Sequence, residues 1–165
     1  MMLKSIFLSL LLAAPALAQT DAACTEHARP GVDWRRCYHD GRDFKGDDLS
    51  GAHLRDATFQ RANLQGANLS RADGFRAKFI GADMRTIKLD EAILAESDLT
   101  KADLAGASLK KTDLRRAKLF RTNLRGADLS GAKLSGADLL HAELSGATWT
   151  DGKRICAEGS ISQCN

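Results

Sequence analysis

Four cysteines and four histidines are the residues of this chain best equipped for chemistry: Cys24, Cys37, Cys156 and Cys164, and His27, His39, His53 and His141. Zinc sites pair such residues closely, as in C-x2-C. Here the cysteines stand 13 residues apart at one end and 8 apart at the other, with none between. An even number, set at the ends, reads as disulfides in an exported protein. Carboxylates adjoin at Asp47/Asp48 and Asp90/Glu91. Neighbours along an extended chain point to opposite sides, so neither pair converges. No serine sits in G-x-S-x-G, and neither H-E-x-x-H nor a phosphate-binding loop occurs. Catalysis needs clustered groups. The expectation is therefore no enzyme, no metal site and no cofactor.

The elements that would position these residues follow from a repeat. From Phe44 to Trp149, every fifth residue is Leu, Phe or Met at 20 of 22 positions, with Gly74 and Trp149 the exceptions. Two residues earlier stands Ala at 16 of 22 positions, with Ser97, Thr112 and Thr122 as small substitutes. The residue before each leucine is often Asp or Asn, which bond nearby backbone and favour turns. Glycine recurs two places after it, where it can supply a positive φ at a corner. An α-helix turns about 500° in five residues, which scatters the leucines around its axis. A flat strand sends alternate leucines to opposite faces. A chain bending about 90° per repeat points every leucine inward and closes a square coil of about 20 residues, stacked at about 4.8 Å.

The motif A-[DN]-L, as in Ala62-Asn63-Leu64, Ala102-Asp103-Leu104 and Ala127-Asp128-Leu129, closely resembles the pentapeptide-repeat family. That resemblance implies an all-β fold, a right-handed quadrilateral parallel β-helix, here of about 5.5 coils over about two thirds of the chain. The departures are Gly74, which lacks a core side chain, and Arg42, Asp47 and Ile87, which overfill the small slot. Some cytoplasmic members of the family are implicated in protecting or inhibiting gyrase by resembling DNA. A DNA-mimic, topoisomerase-interacting protein is thus the alternative function.

Outside the repeat, Lys4, the apolar run from Ile6 and Ala16-Leu17-Ala18 after Pro15 form a signal-peptide pattern, with cleavage expected after Ala18. Its apolar run is shorter than the ~20 residues of a membrane span. The mature chain is expected to be periplasmic or secreted, with no transmembrane segment. The organisation is then 1–18 signal peptide, 19–41 N-terminal cap, 42–151 repeat solenoid and 152–165 C-terminal disulfide cap. Coils separate the two ends by roughly 25 Å, and a disulfide needs Cα atoms within about 7 Å. The pairs must be Cys24–Cys37 and Cys156–Cys164. Trp34 and Trp149 fall on the leucine phase at the two ends and read as plugs over the core.

Residues 20 apart share a side. On the side holding Phe59, Phe79, Leu99, Leu119 and Leu139, the residues that follow include Ile80, Phe120 and Leu140, with Lys101 and Arg121 flanking. An apolar ladder rimmed by charge suggests a contact surface for a protein partner or a second copy. The net charge of +3 argues against an acidic DNA-like rod, and no nucleic-acid partner is expected. The reading is a non-enzymatic exported scaffold whose specific partner the residues do not name.

Overall fold

The computed structural model describes residues 23–165. The predicted signal peptide and its cleavage site lie outside them. Parallel bridges recur every fifth residue and join each residue to the one 20 further on: Asp33 to His53, Tyr38 to Thr58, Asp43 to Asn63, Asp48 to Asn68, and so upward to Asp128 with Thr148. The backbone thus makes a four-sided coil stacked on itself. The same turn runs through residues 31–41, the segment grouped above with the N-terminal cap.

One repeat shows why the motif folds this way. The Asp103 amide donates down to the Ala82 carbonyl at 3.0 Å, while Leu104 and Gly106 donate up to Asn123 and Arg125 at 2.8 and 2.9 Å. The Ala107 amide closes a turn onto the Leu104 carbonyl at 3.0 Å. The remaining amide, of Ala105, donates to Asp103 Oδ1 at 3.1 Å. All five amides of the repeat are satisfied, as a buried coil requires. This explains Asp or Asn before the leucine. Gly106 occupies the third position of the turn with φ of 67°, the signature of a type II turn.

That corner is left-handed in every repeat from Gly31 to Gly146, including non-glycine residues such as Arg61, Lys101 and Arg121. At Thr58 and Ser108, which replace the Asp/Asn, an aspartate one coil below does the same work. Asp40 accepts from the Thr58 hydroxyl and the Gln60 amide, and Asp90 from the Ser108 hydroxyl and the Lys110 amide.

The leucine and alanine columns fill the tube and are almost wholly buried. Numbering the sides from the N-terminus, side 1 carries Trp34 to Leu134, side 2 His39 to Leu139, side 3 Phe44 to Leu144 and side 4 Leu49 to Trp149. At Gly74 the missing side chain leaves no void: an added Cβ would meet Leu94 Cδ2 at 2.8 Å. Ile87 is fully buried in its small slot. Thr112 and Thr122 bond their hydroxyls back to the Leu89 and Leu99 carbonyls at 2.7 and 2.9 Å. Trp34 is enclosed in the first coil, with His39 at 4.2 Å and Phe44 at 5.3 Å between ring centroids. Trp149 is part-exposed at the other end, its amide bonded to the Arg154 carbonyl at 2.7 Å.

The cysteines pair as Cys24–Cys37 and Cys156–Cys164, with Cα atoms 5.4 and 4.8 Å apart. The second bridge holds a tail that folds back over the last coil. Its residues Ile155 and Ile161 pair antiparallel with Thr148 on side 4 and Glu143 on side 3. No helix among the described residues is long and apolar enough to cross a membrane.

Candidate interaction face

Each repeat presents three outward positions, and the coil places them differently. The residue before the leucine makes the bridge and stands at the middle of its side. The two residues after it form the turn and project at the corner. Above Tyr38, side 2 therefore carries a polar middle column, Thr58, Lys78, Asp98, Lys118 and Asp138. Its apolar residues Ile80, Phe120 and Leu140 form a ladder along one corner and not down the middle of the side. The difference arises because the ladder bond falls on the residue preceding the leucine, which the five-residue period alone does not specify.

Phe120 is half-buried, with the Arg121 guanidinium 5.1 Å from its ring centroid and the His141 ring edge-on at 5.7 Å. Leu140, one coil above Phe120, is 52% exposed. These four residues make one patch, spanning two coils. Ile80 is half-buried on the same corner two coils below, with Thr100 between. Lys101 is exposed on the adjoining corner column, held at φ of 59°. In the middle column Lys118 reaches Asp98 at 3.7 Å. Among the described residues, Arg61, Lys78, Lys101 and Arg121 have no carboxylate within salt-bridge distance. Side 2 thus offers cations free to meet an acidic surface.

Side 1 has similar residues arranged to a different end. Arg55 and Arg76 both lie over the Phe75 ring, at 5.6 and 5.2 Å, and are tied to Asp73 and Asp56. Arg115 pairs with Asp113 and Arg116 with Glu96, at 2.6 and 3.5 Å. The Arg35 and Arg115 guanidiniums hold the carboxyls of Asp33 and Asp113 below the usual carboxylate range. These charges neutralise one another and leave less for a partner.

The histidines do not converge. His39 is buried in the core, while His27, His53 and His141 are exposed. Among the described residues, no group of three or more His, Cys, Asp or Glu is placed to hold a metal ion.

The family model described as pentapeptide repeats, in eight copies, matches residues 48–89, 87–119 and 112–148. The chain belongs to the pentapeptide-repeat family. Members of this family fold as right-handed quadrilateral β-helices and are generally non-enzymatic scaffolds. Solved pentapeptide-repeat structures resemble it. HetL, involved in heterocyst differentiation regulation in the cyanobacterium Nostoc sp. strain PCC 7120, is 32% identical, with 76% of this chain and 69% of that one covered and a TM-score of 0.36. A pentapeptide-repeat protein from the Arabidopsis thaliana thylakoid lumen is 24% identical over 74% of this chain and 83% of its own, with a TM-score of 0.33. QnrB1, a plasmid-mediated fluoroquinolone resistance protein, is 21% identical over 72% of each chain, with a TM-score of 0.31. None of the curated proteins compared matches the chain significantly.

Two features of this pentapeptide-repeat chain escaped the sequence. The contact of Phe120 with His141 joins residues 21 apart across a corner, where a column-by-column alignment separates them. The cross-coil aspartates were legible in principle: Asp40 and Asp90 each precede by 18 residues a Thr or Ser in the Asp/Asn position.

Proposed function

We propose that this chain is an exported, non-enzymatic scaffold whose side 2 binds a protein partner presenting apolar residues among carboxylates. One observation carries the reading. Phe120, Arg121, Leu140 and His141 form a single corner patch, on a side whose basic residues Arg61, Lys78 and Lys101 make no salt bridge among the described residues. Apolar contact surrounded by charge is the ordinary composition of a protein–protein interface. The family favours such a role, since its members are commonly interaction scaffolds. The unpaired cations of side 2 favour an acidic protein surface over an apolar one. Export rests on the sequence of residues 1–18. A reporter fused to the first 24 residues should leave the cytoplasm; retention there would instead revive the DNA-mimic reading.

The binding test replaces corner side chains that the core does not need. Ile80→Ser, Phe120→Ser and Leu140→Ser together should leave the thermal transition nearly unchanged, because these side chains sit outside the tube. Affinity capture from the native cell envelope with this triple variant should lose the partner held by the unaltered chain, by tenfold or more. Each buried apolar side chain contributes about 1.5–3 kcal/mol to such a contact. Equal capture by both chains would refute the assignment of side 2.

A further inference from the structure

The C-terminal end is finished on only half of its perimeter. On sides 3 and 4 the tail satisfies the last coil. Ser162 and Cys156 donate to the Ala142 and Ala147 carbonyls, and Leu144 and Trp149 donate to Ser160 and Arg154. Among the described residues, no segment covers the last coil on sides 1 and 2 in this way. Among the described residues, the amides of Leu134 and Leu139 and the carbonyls of Ala132 and Ala137 have no partner, although their counterparts in every coil below are bonded. Leu134, Ala137 and Leu139 are also part-exposed there, unlike the leucines and alanines beneath them. A bare parallel edge over exposed core is a template for another strand.

The tail has the complementary feature. In an antiparallel bridge the residue between the two bonded neighbours turns its own N–H and C=O outward. Ile155 and Ile161 are those residues, and among the described residues neither amide nor carbonyl of either is bonded. They are also 58% and 52% exposed. Each molecule therefore has two empty bridge positions on one half of its end, at Lys133 and Asp138, and two unused strand residues on the other half.

We propose that two copies of this chain join by these ends about a two-fold axis. The axis lies across the end, along the diagonal between the finished and unfinished halves. Rotation about it sets each tail over the other copy's sides 1 and 2. The tail runs backward along its own last coil, so after rotation it runs parallel to the copy it meets. Ile155 then comes over side 1 and Ile161 over side 2, in the order of the coil. The Leu134 amide donates to the second copy's Ile155 carbonyl, and that residue's amide to the Ala132 carbonyl. Leu139 and Ala137 repeat the arrangement with Ile161. Each tail thus supplies the missing half-turn of the other solenoid and covers its exposed leucines. The contact is isologous and closes at two copies. It uses the backbone edge of the last coil, whereas the side 2 reading rests on the outward corner side chains of Ile80, Phe120 and Leu140.

The test is sedimentation of the chain, with both disulfides formed, over a range of concentrations. The expected result is a monomer–dimer equilibrium with nothing larger. Ile155→Pro deletes an amide that has no bond within one molecule, so its melting should stay near that of the parent. Its dimer dissociation constant should rise tenfold or more. Tyr38→Pro, at the opposite end of the solenoid, should leave the dimer unchanged. Hydrogen exchange of the parent gives a readout that needs no variant: the Leu134 and Leu139 amides should gain protection as concentration rises. A monomer at every concentration overturns the proposal, as does exchange at those amides that ignores concentration. Open-ended assembly that Tyr38→Pro abolishes would also overturn it, because it would show head-to-tail stacking.

Discussion

Thr86 stands where the fold asks for glycine. It holds φ of 56° on side 3, in a corner column otherwise made of Gly46, Gly66, Gly106, Gly126 and Gly146. A left-handed backbone crowds Cβ against the following carbonyl, at about 1–2 kcal/mol for an ordinary residue and more for a branched one. Glycine removes that crowding but returns part of the gain through its freedom in the unfolded chain. Thr86→Gly is expected to stabilise the protein by about 1 kcal/mol net. Chemical denaturation should show the midpoint moving upward with an unchanged slope. Ser97 belongs to the same scale: its hydroxyl is buried without a partner, where Thr112 and Thr122 reach a carbonyl from equivalent slots.

The first coil is the element in which chemistry and packing conflict. His39 takes a leucine position, fully buried among Trp34, Phe44 and Phe59. Burial, with the Arg42 charge adding to it and Asp40 opposing, lowers its pKa from 6.5 to about 4. Arg42 Nη1 donates to His39 Nδ1 at 3.0 Å, so the proton of the neutral ring sits on Nε2, which has no acceptor among the described residues. Between pH 6.5 and 4 the unfolded chain binds this proton and the folded one does not. Stability is therefore complete above pH 6.5 and falls as the pH drops, by about 3 kcal/mol at the lower limit. His39→Leu should flatten that dependence, as read by thermal melts across the window. A parallel loss in the variant would place the acid sensitivity elsewhere.

The whole molecule is a stack in which each coil touches its neighbours, so length and phase are separable. Deleting residues 91–110 removes one coil of 20 and leaves the later residues on their original sides. That variant should fold and keep partner capture, with Ile80 brought directly beneath Phe120. Deleting only 91–95 should also fold, since every repeat carries the same core. It turns the chain beyond by a quarter and parts Ile80 from Phe120, so capture should fall. Circular dichroism and the envelope capture together check both outcomes. Equal capture by the two deletions would mean that alignment along side 2 does not matter.

A period of five in Leu and Ala was enough to read the square coil, because only a right-angle bend per repeat keeps those positions in one tube. The cysteine pairing followed from the distance between the ends. The Asp/Asn and Gly columns announced turns, since their chemistry is local. Other features depend on which atoms stack across coils and stayed hidden until the chain was closed. Leu94 fills the space left by Gly74. Ile80, Phe120 and Leu140 line a corner, because the bridge belongs to the residue before each leucine. The tail turns back over sides 3 and 4 and, among the described residues, leaves the edges of sides 1 and 2 without a bridge. The relations between coils join residues 18 to 21 apart, and no local pattern records them.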